Sequence, residues 1–158
     1  MRQLFAALAL LILCLFITSP STAQTRQPNI IFILADDLGY GDIGAFGQKK
    51  IRTPNLDRLA AQGMILTRHY AGSPVCAPSR CVLLTGKHPG HAYVRDNKDM
   101  GQPRVSGQIP LPPDTITLAS ALKSGGYKTG LFGKWGLGIY SNSGSPFKQG
   151  FDRMFGYL

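Results

Sequence analysis

Apolar residues fall along this chain in unbroken runs and in helical stripes, with Gly, Pro and Asp marking the boundaries between them. The first run, residues 4–17, follows Met1 and Arg2 and precedes the small residues Ser21, Thr22 and Ala23. That is the pattern of a secretory signal peptide, shorter than the ~20 apolar residues a membrane span needs. Residues 1–23, Cys14 included, are therefore expected to be removed on export, leaving no stable membrane span. A second run, residues 29–35, is rich in Ile and stops at Asp36-Asp37-Leu38-Gly39. It predicts a strand buried on both faces, with two adjacent acids at its C-terminal end.

Helical periodicity begins at Thr53-Pro54, read as an N-cap and a first-turn proline, continues through Leu56, Leu59 and Ala60, and stops at Gly63. Residues 64–70 read as a second strand. Pro78 opens a further helix to about residue 84, ended by Thr85-Gly86, and residues 87–114 carry the Gly, Pro and polar content of a loop. Thr115 or Thr117 caps a short helix over 118–124, closed by Gly125-Gly126, and a strand over 127–132 leads into Gly133-Lys134-Trp135. Strands alternating with helices predict an α/β fold with a mostly parallel sheet flanked by helices. Ligand sites of such sheets lie beyond the carboxyl ends of the strands, where Asp36, Asp37 and Lys134 all fall.

Composition narrows the class. With 158 residues there is room for one core. Hydrophobic residues make up 44% of the chain, too many for intrinsic disorder, and charged residues only 16%. The formal net charge is +9, from 17 Lys and Arg against 8 Asp and Glu, so basicity reflects scarce acids and favours acidic partners such as anionic polysaccharides. Neither zinc-finger spacing nor a basic recognition helix is present, and a nucleic-acid partner is not expected, least of all for an exported protein. No phosphate-cradling GxxxxGK[ST] or GxGxxG follows a strand, and His69, His88 and His91 lack metal-ligand spacing.

Three places could carry chemistry. Asp36 and Asp37 repel each other unless a cation sits between them, and hard oxygen ligands suit Ca²⁺ or Mg²⁺; the same residues are also ordinary turn formers. Cys76 precedes a helix start, where unpaired backbone N–H groups favour anions, and Arg80 four residues on adds a guanidinium; the other reading is a small buried cysteine beside a helix-starting proline. Lys134 lies among Gly133, Gly136 and Gly138, a tight loop around a Trp. A bridge between Cys76 and Cys81 is permitted in an oxidising compartment.

Taken together, Pro28-Asn-Ile-Ile-Phe-Ile-Leu-Ala-Asp-Asp-Leu-Gly39, Thr53-Pro-Asn-Leu-Asp57 and Cys76-Ala-Pro-Ser-Arg-Cys-Val-Leu-Leu-Thr-Gly86 resemble the type I sulfatases, arylsulfatases above all. Gly133-Lys-Trp-Gly-Leu-Gly138 and Gly150-Phe-Asp152 follow in the family's order. The resemblance implies a fold similar to alkaline phosphatase and hydrolysis of sulfate esters. It implies that a separate maturation enzyme converts Cys76 to formylglycine, with Pro78 and Arg80 completing the recognition motif. The hydrated aldehyde then offers one hydroxyl to attack sulfur while the second expels sulfate. Asp36, Asp37 and the modified Cys76 would hold one Ca²⁺, Arg80 would steady the hydrate, and Lys134 would neutralise the sulfate. The segment Pro89-Gly-His-Ala-Tyr-Val-Arg-Asp-Asn97 resembles a loop near the arylsulfatase pocket, which points to an aryl or sugar sulfate.

The resemblance departs in two respects. Gly136 stands where the family commonly has a histidine, and the family's Asp-Asn metal pair and further His and Lys ligands come from positions beyond Leu158. Residues 24–158 are accordingly expected to be the N-terminal part of a catalytic domain, inactive or unstable alone. The alternatives are a phosphate or phosphonate ester hydrolase of the same superfamily, whose tetrahedral substrate suits the same groups, and a non-catalytic remnant that docks anionic glycans.

Overall fold

The computed structural model describes residues 27–98 and 108–158; the expected signal segment, residues 1–23, lies outside them. Among the described residues no helix is long and apolar enough to cross a membrane. The chain divides into two units, Met1–Ala35 and Asp36–Leu158. In the first, residues 27–35 form neither helix nor ladder, and the apolar run is open to solvent, with Ile31 86% exposed. This corrects the expected buried strand. A strand exists only through its neighbours, and none pairs with this segment among the described residues.

Among its described residues the second unit holds three α-helices, two short 3-10 turns and a two-stranded parallel sheet. The first helix, α1, spans Pro54–Gln62 with proline in its first turn and Gly63 at its end. Thr53 does not cap it. The Thr53 hydroxyl accepts the Gly44 N–H at 2.8 Å and donates to Asp57 Oδ1 at 2.9 Å, which also accepts the Ala45 N–H at 2.8 Å. Threonine and aspartate here pin the short 3-10 turn Gly44–Phe46 onto the helix. Residues 64–70, expected as a strand, are irregular, with Met64 and Tyr70 exposed.

Helix α2 spans Cys76–Thr85, two residues earlier than its proline suggests, because proline is tolerated anywhere in a first turn where no N–H partner is needed. Gly86 ends it in a left-handed conformation, φ 65°, its N–H donating to the Val82 carbonyl. Helix α3 spans Leu118–Ser124 and takes Thr117, not Thr115, as its cap: the Thr117 hydroxyl accepts the Ser120 N–H while the Ser120 hydroxyl accepts the Thr117 N–H.

Strand β1, Gly130–Lys134, pairs in parallel with β2, Arg153–Tyr157, with Leu131 opposite Met154 and Lys134 opposite Tyr157. Lys134 is thus the last residue of a strand rather than the first of a loop. The connecting residues 135–152 carry no regular helix, yet they hold much of the core. Trp135 is 1% exposed, donates from Nε1 to the Gly144 carbonyl at 2.7 Å, and meets Phe151 edge-on. Around it pack Ala77 and Cys81 of α2, Ala92 and Val94 of the following segment, and Leu111 and Leu137. Gly144 is obligatory, since a Cβ there would strike the Leu137 carbonyl and the backbone of Gly138 and Pro110. Cys76 and Cys81 are both free thiols.

One charged tie closes the crossover. Asp152 pairs with Lys123 of α3 at 2.7 Å and accepts the Thr129 N–H at 2.9 Å. The lysine first, and then the Thr129 amide, hold its carboxyl well below the ordinary 3.8, at about 2. Because the folded pKa is the lower one, the stabilisation is present above the ordinary value and is lost as pH falls through about 2. Asp152→Asn is expected to lower the urea midpoint at neutral pH and to flatten the decline of that midpoint between about pH 4 and pH 2. A pH series of urea melts for both proteins checks this.

Candidate active site

The site is assembled around the first turn of α2. Cys76 is its first residue, half-buried, and Arg80 follows at i+4 on the same face. The residue before the helix, Val75, offers no side-chain cap. Asn97 does so from twenty positions beyond Ala77, its Oδ1 accepting the Ala77 N–H at 2.9 Å. A backbone donor next to the cysteine is thereby fixed by a side chain that no local rule would select.

Arg80 is held at two points. One Nη donates to the Lys134 carbonyl at 2.7 Å, and the other lies 3.3 Å from Asp36 Oδ1. Its Nε is buried without a hydrogen-bond partner, an unused donor within the guanidinium. Lys134 closes the triangle, donating from Nζ to Asp36 Oδ2 at 3.0 Å. The Asp36 carboxyl is pushed below its ordinary pKa, first by the Lys134 hydrogen bond and also by the Arg80 charge, against an opposing effect of burial. Lys134 is correspondingly pushed up, first by its bond to Asp36 and next by the Cys76 side chain beside it. The ammonium therefore stays charged throughout the physiological range, and two cations face one carboxylate. The group as a whole is positive, at the N-terminal end of a helix.

Four of the five residues singled out in the sequence, Asp36, Cys76, Arg80 and Lys134, are thus brought together. Asp37 is not. It is the one non-glycine described residue with positive φ, 58°, and its carboxylate makes no ion pair or hydrogen bond among the described residues. Among those residues no group of three or more His, Cys, Asp or Glu could hold a metal. Two adjacent carboxylates fit Ca²⁺ in kind but supply only a part of the about six to eight oxygens it takes. Gly136, where a histidine was expected by resemblance, has φ +77°, a conformation favouring glycine; a Cβ there would sit 3.8 Å from Arg80 Cδ, in ordinary contact.

Comparison with known proteins gives this arrangement its context. The family model described as Sulfatase matches residues 28–158. Mouse steryl-sulfatase is 42% identical over 144 residues, covering 87% of this chain and 23% of that protein. Human arylsulfatase D is 41% identical over 93% of this chain and 26% of its own length, and pig N-acetylgalactosamine-6-sulfatase 41% over 85% and 26%. Among solved structures, Ps i-CgsB superposes with a TM-score of 0.71 at 38% identity, covering 84% of this chain and 28% of that one; a structure of that protein in complex with k-i-k-neocarrahexaose matches equally well. The chain spans about a quarter of the length of the curated relatives it matches. Its α/β fold, with helices and a small parallel sheet, is that of the sulfatases and of alkaline phosphatase. The chain belongs to the sulfatase family.

Proposed function

We propose that this chain forms part of the catalytic centre of an exported hydrolase of aryl or sugar sulfate esters, with Cys76 converted to formylglycine by a maturation enzyme that reads Cys76, Pro78 and Arg80. The observation that carries this is the convergence of Arg80 and Lys134 on one carboxylate beside Cys76, at the start of a helix. That place suits a tetrahedral oxyanion. The helix N-terminus and two fixed cations would neutralise the charge that the sulfuryl oxygens of a bound sulfate ester already carry.

Each side chain then has a separate task. Lys134, anchored at a strand end, neutralises a sulfate oxygen with an ammonium that Asp36 keeps protonated. Arg80, whose guanidinium is braced by the Lys134 carbonyl, presents its remaining Nη donors as a planar set. Asn97 positions the Cys76–Ala77 peptide. Formylglycine, once formed, supplies a hydrated aldehyde as an oxygen nucleophile, chemistry that the thiol does not provide. Asp36 and Asp37 are the residues that would hold Ca²⁺, Asp36 sharing its oxygens with Arg80 and Lys134, and the ion would polarise the sulfate and lower the pKa of the attacking hydroxyl. Export with loss of residues 1–23 places the protein in the periplasm or outside the cell.

In the intact protein, Cys76→Ala and Cys76→Ser are each expected to lower kcat/KM for an aryl sulfate by roughly a thousandfold or more. Peptide mass spectrometry of the wild type is expected to show loss of the thiol sulfur at position 76. Faster turnover of an aryl phosphate than of the matching aryl sulfate would overturn the assignment in favour of a phosphate ester hydrolase. Residues 1–158 alone, with two carboxylates for the metal, are expected to give no turnover with added Ca²⁺; a Ca²⁺-dependent rate from them contradicts this. Asn97→Ala is expected to cost about 1 kcal/mol in urea unfolding, as lost caps do, while Asn97→Asp retains the acceptor and most of the stability.

A further inference from the structure

Beside Thr85, the last residue of α2, lies an open cavity of about 490 Å³ with exposed charged walls, which the catalytic reading does not use. It reaches from Thr85, the last residue of α2, to Lys98, whose neighbour Asn97 caps the first turn of the same helix. The segment between them therefore runs back along a helix about 15 Å long, and one end of the cavity wall is tied to the peptide next to Cys76. Its size falls in the range of small-ligand sites, about 300–1,000 Å³. Lys87, Arg95, Lys98 and His91 line it against a single carboxylate, Asp96. Arg95 Nε donates to the Ala92 carbonyl at 3.0 Å, and its Nη groups have no hydrogen-bond partner among the described residues. Tyr93, 60% exposed, adds one ring to the wall.

We propose that this cavity is a second anion subsite, which takes a neighbouring sulfate or carboxylate group of a multiply charged oligosaccharide whose scissile sulfate lies at Cys76. The assignment deepens the sulfate-ester reading above and rests on it. Two anion sites joined through Asn97 select substrates with two anionic groups over those with one, because a neutral tail leaves the Lys and Arg groups without a partner. Tyr93 and His91 are too few rings for the succession on which a nucleic acid stacks its bases, which favours a sugar chain.

The test measures binding of a fluorescent sulfated tetrasaccharide to the intact protein carrying Cys76→Ala, in which hydrolysis does not compete. Lys87→Gln/Lys98→Gln is expected to weaken binding roughly 100-fold, about tenfold for each charged contact. Lys49→Gln/Lys50→Gln, which removes the same charge from another exposed lysine pair outside this cavity, is expected to change it less than about threefold. Equal losses in the two double variants, or equal affinity for a single-stranded oligonucleotide of the same charge, overturn the subsite. Acetylation footprinting needs no variant: the tetrasaccharide is expected to protect Lys87 and Lys98 but not Lys49 and Lys50, and equal protection of both pairs overturns the subsite. The two readings fail separately. No aryl sulfate turnover by the wild type, with lysine-dependent tetrasaccharide binding intact, removes the hydrolase reading and leaves the anion site; turnover with no preference between the double variants removes the anion site alone.

Discussion

The hydrogen bond from Arg80 to the Lys134 carbonyl joins helix α2 to strand β1, and the geometry of the site depends on it. Exposed ion pairs such as Lys134–Asp36 contribute little to stability, about 0–1 kcal/mol, and could not by themselves bring together groups 98 positions apart. The placement comes from the residues next door. Cys81 follows Arg80 and Trp135 follows Lys134, and both neighbours are buried in the same core, at 0% and 1% exposure. Each cation is therefore one residue from a packed anchor. The core orients the two backbones, and the partly buried Arg80 hydrogen bond locks their relation.

That division explains why the electrostatics of the site can be unbalanced without unfolding it. Two cations share Asp36, which is 42% exposed on its side chain and costs little to keep charged. Had the group been buried, an unpaired positive charge would have carried a penalty of several kcal/mol. Partial exposure lets the fold tolerate the excess positive charge, and solvent screens what Asp36 leaves unpaired. Scarcity of acids along the chain works in the same direction, since few carboxylates can neutralise the site from elsewhere.

Local signals in the sequence reveal the helices and the spacing of Cys76 and Arg80, and for a physical reason. Gly86 and Gly125 terminate helices through backbone conformations and hydrogen bonds set within a few residues. The i, i+4 spacing of Cys76 and Arg80 places them on one face wherever that helix goes. What local pattern cannot give is pairing. Residues 29–35 have the composition of a buried strand but no described partner, whereas β2, with no β-branched residue and a glycine at 156, pairs with β1 along its whole length. Long-range side-chain bonds are equally invisible: Thr53 resembles a cap but braces the turn before the helix, and Asn97 lies in a loop but caps the helix that starts with Cys76. The free thiol of Cys81 follows from the core position of that residue, with Cys76 one helical turn and more away on the same helix.

Gly136 shows how backbone conformation constrains the chemistry of such a site. Its left-handed φ of +77° follows directly on the buried Trp135 and precedes the buried Leu137, so the turn is set by two anchors on either side. A Cβ here is opposed by conformation, since among the described residues it meets only Arg80 Cδ at an ordinary contact distance, while the buried position limits anything larger. Restoring the histidine of the family's pattern would therefore cost about 1–2 kcal/mol in backbone strain unless the turn changed too. The consequence reaches Arg80: glycine at 136 adds no polar group beside it, and among the described residues the guanidinium is oriented by the Lys134 carbonyl and Asp36.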